Sequence, residues 1–164
     1  DRVQEVADRI NNELKGLNPV FICVLNGAFM FASDLLKRIT IECEITFVKL
    51  SSYDGTQSSG KVKSLIGLNH DIRGREVVIV EDIVDTGETI IDIINQIKYQ
   101  DPEDVKIATL LFKPDAYTKD IPIDYVAMEV PNDFLVGYGL DYDGLGRNLD
   151  GIYVLEETNQ EVII

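Results

Sequence analysis

At 164 residues, with 29 Asp and Glu against 15 Lys and Arg, the sequence is that of one acidic domain of formal net charge −14. Its 45% apolar and 27% charged residues form an ordinary globular mixture, and a chain of this length buries roughly 70% of its unfolded surface. A surface so acidic repels phosphate backbones and anionic lipid, which removes nucleic acid and membranes as partners.

Val3, Val6, Ala7, Ile10 and Leu14 recur at spacings of three and four and predict an amphipathic helix, ended by Gly16 and Pro19. A buried strand is expected over Pro19–Leu25, broken by Asn26-Gly27, and a second helix through Phe31, Leu35, Leu36 and Ile39. Ile41, Cys43, Ile45 and Phe47 alternate with polar residues, as in a strand. Residues 51–61 hold no apolar pattern and many turn formers, so a long loop is expected there, and long loops are often functional. Val62–Leu68 reads as extended and Asp71–Arg75 as a turn. Val77–Val80 is a β-branched run suited to a strand buried on both faces. An acidic loop over Glu81–Gly87 is expected next, then a helix through Ile90, Ile91, Ile93, Ile94 and Ile97 capped near Thr86 or Thr89. Val105–Phe112 and Tyr125–Val130 are further strands. Alternating strands and helices imply an α/β domain: a mostly parallel central sheet with helices on both faces.

Cys23 and Cys43 both lie in apolar stretches without a C-x-x-C neighbour, and His70 is the one histidine. Neither a zinc site of ordinary ligand count nor a disulfide framework is indicated, and a reducing cytoplasm fits. No stretch approaches the roughly 18 uncharged apolar residues of a membrane span, and no export signal is visible. The chain opens at Asp1, inside a helical pattern and without methionine, which suggests missing N-terminal sequence.

The chemistry concentrates in Val77–Thr89. Four carboxylates, Glu81, Asp82, Asp85 and Glu88, fall at the carboxyl end of the most buried strand, where open α/β sheets bind ligands. Asp85-Thr86-Gly87-Glu88-Thr89 then opens a helix, whose free amides, dipole and threonine hydroxyls form an anion cradle. Acids beside such a cradle suit a sugar phosphate, although a locally capped acidic loop has the same composition. Gly55–Lys61 matches G-x-x-x-x-G-K, but Val62 replaces the Ser or Thr that binds magnesium, and Val62–Leu68 is an extended pattern where a P-loop needs a helix; the match is rejected. Gly137-Tyr138-Gly139 begins a dinucleotide fingerprint that Tyr142 breaks. A phosphorylated ligand among these acids calls for a divalent cation, and magnesium suits carboxylates plus substrate phosphates, with Glu81, Asp82 and Asp141 as oxygen donors. Lys113 and Arg147 are scarce cations that could meet an anion or a carbonyl, and Phe134 could stack on a base.

Together these segments resemble the type I phosphoribosyltransferases over nearly the whole chain. The Val77–Thr89 run carries the family's ribose-phosphate signature. Leu25-Asn26-Gly27, Ser52-Tyr53, Leu111-Phe112-Lys113, Phe134–Tyr138 and Leu140-Asp141-Tyr142 indicate its 6-oxopurine (hypoxanthine-guanine) branch. The resemblance implies one domain over 1–164 with the family's fold, a flexible flap loop and a small hood. It implies a transferase of purine salvage that joins 5-phosphoribosyl 1-pyrophosphate to hypoxanthine or guanine, forming IMP or GMP and pyrophosphate with Mg2+, as a cytoplasmic homodimer or homotetramer.

In that scheme Asp85 is the acid/base group, and Glu81 and Asp82 hold ribose hydroxyls and metal. The stretch Asp85, Thr86, Gly87, Glu88 and Thr89 cradles the 5′-phosphate. Lys113 donates to the 6-oxo group, Phe134 stacks on the ring, Leu135 reads its edge through the backbone, and Asp141 lies beside the purine and ligates metal. Asn26, Gly27 and Arg147 receive pyrophosphate, with a cis peptide expected between Leu25 and Asn26, and Ser52 and Tyr53 ride on the flap. Two residues depart from the pattern: Asn26 stands where some relatives are basic, and Glu88 lies within the phosphate turn and must point away. The alternatives are a neighbouring specificity, xanthine or orotate, and a non-catalytic nucleotide-sensing regulator on the same fold. Lys113 with Phe134 favours a 6-oxopurine, and Asp85 with the flap pair favours catalysis.

Overall fold

The computed structural model describes residues 1–54 and 61–156, with backbone alone at 52–54 and 61–63. Helix α1 (Arg2–Glu13) begins with the Asp1 carboxylate accepting from the Val3 amide at 3.0 Å, which satisfies one of the free first-turn donors. The next elements are β1 (Val20–Leu25), α2 (Phe29–Leu36), β2 (Glu44–Asp54), β3 (Lys61–Ile66), β4 (Glu76–Val84), α3 (Glu88–Ile97), β5 (Asp104–Phe112) and β6 (Tyr125–Glu129). Two short strands, β7 (Leu135–Val136) and β8 (Tyr153–Val154), pair antiparallel apart from the main sheet.

The main sheet runs β3-β2-β1-β4-β5-β6, parallel except for β3, which pairs antiparallel with β2 at one edge. Chain direction therefore puts the carboxyl ends of β1, β4 and β5 side by side, and the strand order reverses between β1 and β4. This is the expected mostly parallel α/β sheet, and its switch point is where ligands bind. The β4 run shows why it lies at the centre. Val78 and Val80 pack with Phe21, Cys23, Ile10, Phe31 and Leu35 under α1 and α2, while Val77 and Ile79 pack with Ile22, Ile90, Ile93 and Ile97 under α3. Each such side chain contributes about 1.5–3 kcal/mol on leaving water, and β4 does so on both faces.

Four expectations are corrected. First, residues 51–54, expected in a loop, continue β2, with Ser51 opposite Ser64 and Asp54 opposite Lys61. A hairpin at a sheet edge needs no apolar alternation, so its polar residues hid it. Residues 55–60 lie outside the described residues. Second, Glu81–Val84 are not loop but the end of β4, which keeps pairing with β5 to Val84 opposite Phe112. Third, α3 is capped by Gly87 at φ 94°, with no hydrogen bond from a threonine side chain. A Cβ there would come within 2.7 Å of Tyr117 Cε2 and Lys119 Cγ, so close packing of the 113–123 segment selects glycine. Fourth, the strand expected through Ile41, Cys43, Ile45 and Phe47 begins only at Glu44, and within it Ile45 and Phe47 are 42% and 47% exposed, whereas Thr46 and Val48 are buried. Helix α2 packs over β1 and β4 and leaves β2 uncovered on that face.

Candidate active site

The carboxyl ends of β1 and β4 and the start of α3 enclose a cavity of about 460 Å³, lined among others by Leu25, Gly27, every residue from Glu81 to Ile90, Asp141 and Arg147. That volume suits a small-molecule ligand. It gathers the expected ribose, phosphate and metal residues, Glu81, Asp82, Asp85, Thr86, Gly87, Glu88, Thr89 and Asp141, on one surface.

Glu81 and Asp82 form its floor because β4 stays extended through them. The Glu81 carboxylate is buried, and its Oε2 has no hydrogen-bond partner among the described residues. Burial is the main force raising the Glu81 pKa well above the ordinary 4.5, with the Asp82 charge adding to it. Asp82 is also raised, again chiefly by burial, and is partly restrained by hydrogen bonds and by Arg147. Two adjacent carboxylates at the floor of the cavity hold a proton more readily than two charges, and burial raises both pKa values. Its bare Oε2 and the neighbouring Asp82 are hard oxygen donors fitted to a cation or a ribose hydroxyl. Among the described residues no three acidic, His or Cys side chains converge closely enough to hold an ion unaided.

Asp85 stands at the rim, half exposed, and Lys113 Nζ lies 3.5 Å from its Oδ2. Lys113 itself is buried to 7% exposure. Its amide donates to the Val84 carbonyl at 3.0 Å, which ties the residue after β5 to the end of β4. The Thr86–Thr89 turn is braced from behind by the 113–123 segment, where the Thr118 amide donates to the Thr86 carbonyl at 3.3 Å. Lys119 Nζ sits 2.5 Å from Glu88 Oε1, which ties the Glu88 carboxylate to the 113–123 segment.

The opposite wall comes from the end of β1 and from the segment between β7 and β8. The Leu25–Asn26 peptide is cis. At Gly27 a Cβ would fall 1.9 Å from Asp82 Oδ2, and at Gly139 it would fall 2.1 Å from the Gly27 carbonyl, so only glycine permits either approach. Arg147 donates to the Gly139 carbonyl at 2.7 Å and lies 3.4 Å from Asp141 Oδ1, while Asp141 Oδ2 accepts from the Gly144 amide. A second cavity of about 370 Å³ shares Leu25 and Arg147 with the first and is lined by Asn26, Phe29, Leu145 and Asn148. Asn26 thus faces a different hollow from Gly27.

Phe134 is 56% exposed and packs edge to face on Tyr142, while Leu135 is buried in β7. Neither they nor Lys113 line the main cavity; Lys113 reaches it through Asp85. The side chains of Ser52 and Tyr53 lie outside the described residues. Lys61–Ile66 is strand, so the G-x-x-x-x-G-K match opens no helix. Sequence reasoning missed the bracing segment around Lys119 and the hydrogen bond from the Tyr138 hydroxyl to Asp34, because neither carries a motif.

A family model of the phosphoribosyl transferase domain matches residues 1–143. The chain is 44% identical over 157 residues to a hypoxanthine-guanine phosphoribosyltransferase of Streptococcus thermophilus, covering 95% of this chain and 87% of that one. It also superposes on a Bacillus anthracis hypoxanthine-guanine phosphoribosyltransferase with a TM-score of 0.82 at 35% identity, over 93% of this chain and 89% of the other. A Trypanosoma cruzi hypoxanthine phosphoribosyl transferase gives 0.83 at 37% identity, over 94% and 85%. A reversal of strand order filled by an acidic strand end and an amide-rich turn, in a chain so similar to these proteins, has one consistent explanation: it belongs to the phosphoribosyl transferase family and is an enzyme of that kind.

Proposed function

We propose that the protein transfers the 5-phosphoribosyl group of 5-phosphoribosyl 1-pyrophosphate to N9 of hypoxanthine and guanine, a purine-salvage reaction yielding IMP or GMP and pyrophosphate. The observation that carries this reading is the Lys113–Asp85 pair, in which Asp85 lines the cavity immediately before the Thr86–Thr89 turn and Lys113 lies behind it. A buried cation beside a half-exposed carboxylate offers a donor for a ring carbonyl and an acceptor for a ring proton. Both lie next to a phosphate-binding turn.

In the reaction N9 of the base bonds to the sugar carbon C1′, the bond from C1′ to the pyrophosphate oxygen breaks, and its electron pair leaves with pyrophosphate. Asp85 takes the purine proton, at N7, as N9 attacks. The amides and hydroxyls of Thr86, Gly87, Glu88 and Thr89 bind the 5′-phosphate. Glu81 and Asp82 accept from the ribose hydroxyls. Lys113 donates a hydrogen bond to the 6-oxo oxygen, and because a 6-amino group cannot accept that bond adenine is excluded. Phe134 covers the ring and the Leu135 backbone reads its edge. Asn26, Gly27 and Arg147 hold pyrophosphate, and Ser52 and Tyr53 close over the site to exclude water. Asp141 lies beside the purine on one side and the pyrophosphate on the other.

Mg2+ would be held by Asp82, Glu81 and Asp141 together with substrate oxygens, and when bound it neutralises charge between donor phosphates and these acids. The free thiols of Cys23 and Cys43 suit a cytoplasmic protein. Assembly into a homodimer or homotetramer belongs to the same proposal and is read by sedimentation.

The test mixes the protein with magnesium, 5-phosphoribosyl 1-pyrophosphate and each of hypoxanthine, guanine, xanthine and adenine, with and without chelator. Nucleotide from the first two bases, abolished by chelator, is expected. No product from any base would overturn the transferase reading, and xanthine as the preferred base would move its specificity.

A further inference from the structure

Resting on that reading of the site, we propose that Tyr138 and Asp34 are a positioning pair that holds Asp141 and Arg147 over the Gly27 turn and thereby sets affinity for the pyrophosphate end of the donor.

The Tyr138 hydroxyl donates to Asp34 Oδ2, joining the segment after β7 to helix α2 across 104 residues of sequence. Asp34 is further tied to Lys37 Nζ at 3.0 Å. Helix α2 starts two residues beyond Gly27, and the backbone bonds Ala28 to Val24, Phe29 to Asn26 and Ala32 to Ala28 make the turn and the helix one rigid piece. Asp34 and Gly27 are thus two fixed points on one body. The neighbouring segment meets both: Tyr138 engages Asp34, and the next residue, Gly139, rests on the Gly27 carbonyl so closely that a Cβ would lie 2.1 Å from it. One contact would leave the segment free to pivot, whereas two fix its orientation.

What those two contacts orient is the pyrophosphate wall. The Tyr138 amide donates to Leu149 and the Gly139 amide to Arg147, each at 2.9 Å. Arg147 returns a hydrogen bond to the Gly139 carbonyl, and Asp141 sits 3.4 Å from Arg147. Tyr138 takes φ 50°, a left-handed conformation uncommon for a residue with a bulky side chain. Packing alone would be met by phenylalanine, but the phenol is aimed at a carboxylate. The same bond is the largest cause lowering the Asp34 pKa, and it adds to the burial that raises the Tyr138 pKa.

Tyr138→Phe, Asp34→Ala and Asp34→Asn test the pair by steady-state kinetics with the magnesium-loaded donor, product inhibition by pyrophosphate, and amide hydrogen exchange at Tyr138 and Gly139. Losing a hydrogen bond to a charged group should raise the donor KM and the pyrophosphate inhibition constant roughly tenfold in Tyr138→Phe and Asp34→Ala. The hypoxanthine KM and kcat at saturation should stay within about twofold. Asp34→Asn keeps an acceptor and should recover most of the affinity. An unchanged donor KM, or a uniform loss of kcat with a lowered Tm and no change in KM, would overturn the pair's role. Should the wild-type chain not turn over, the transferase reading falls, yet exchange still decides the tether. Faster exchange in Tyr138→Phe supports it, and unchanged exchange overturns it.

Discussion

Lys113 Nζ and Asp85 Oδ2 stand 3.5 Å apart at the ends of adjacent parallel strands, held in register by the pairing of Val84 with Phe112. That separation is the outer limit of a hydrogen bond. The contact is weak, so a buried cation and a half-exposed acid can each turn to another hydrogen-bond partner.

Replacing Asp85 by Asn keeps its size and removes the proton acceptor. Turnover should fall on the order of 10²–10⁴ while donor affinity stays within a few-fold. Pre-steady-state rates with hypoxanthine check this, and an unchanged chemical rate would remove the acid/base assignment.

Lys113→Ala leaves Asp85 without its ion-pair partner and, in the proposed reaction, the 6-oxo oxygen without its donor. The ratio of kcat/KM for hypoxanthine over adenine should shrink, because that discrimination depends on a polar group that only one base satisfies. Retained selectivity in the base panel would count against Lys113.

Gly27→Ala places a methyl 1.9 Å from Asp82 Oδ2, so the carboxylate must move. A shift of that size at a binding group costs up to about 10² in kcat/KM. Kinetics with the donor should register it while circular dichroism remains native.

Glu81→Gln should make the ligand-free protein more stable at neutral pH and less active. Glu81 is buried with an unpartnered oxygen, and burial raises its pKa, so ionising it in the folded state opposes folding. A domain of this size gains about 2–4 °C in Tm per kcal/mol. Calorimetry without magnesium reads the gain, and a lowered Tm would contradict it.

Asp34 gives a pH dependence of opposite sign. Its hydrogen bond from Tyr138, above all, holds its pKa below the ordinary 3.8. The stability it contributes is therefore complete above that ordinary value and is lost as pH falls through the lower, folded one. Asp34→Asn should flatten this part of the acid-denaturation profile and converge with wild type below it. Parallel profiles would exclude a contribution from this carboxylate.

Much of this was legible in the chain itself. The β-branched run Val77–Val80 could only be a strand covered on both faces, and it is. The acids and turn formers after it marked the site because no core would tolerate them without a use. Less visible was how far that strand ran: Glu81 and Asp82 are polar, yet β5 beside them supplies backbone partners, and pairing overrides side-chain preference. At β2 the apolar alternation identified a strand but not its inner face, since which face is covered depends on where α2 lies.

Sequence by itself determined the α/β order, the cluster of acids after Val80 and the turn that opens α3, because hydrophobic periodicity and backbone chemistry are local. Only the tertiary structure decided that Gly27 abuts Asp82, that Gly139 abuts Gly27, that Lys113 meets Asp85 and that Arg147 meets Asp141. Those are contacts between segments distant in sequence, and their geometry is set by strand register and helix packing, which no short pattern encodes. The net charge of −14 illustrates the limit: it described the surface, while in the proposed reaction two cations and a row of backbone amides, positioned by the fold, would provide the local potential for a polyanionic substrate.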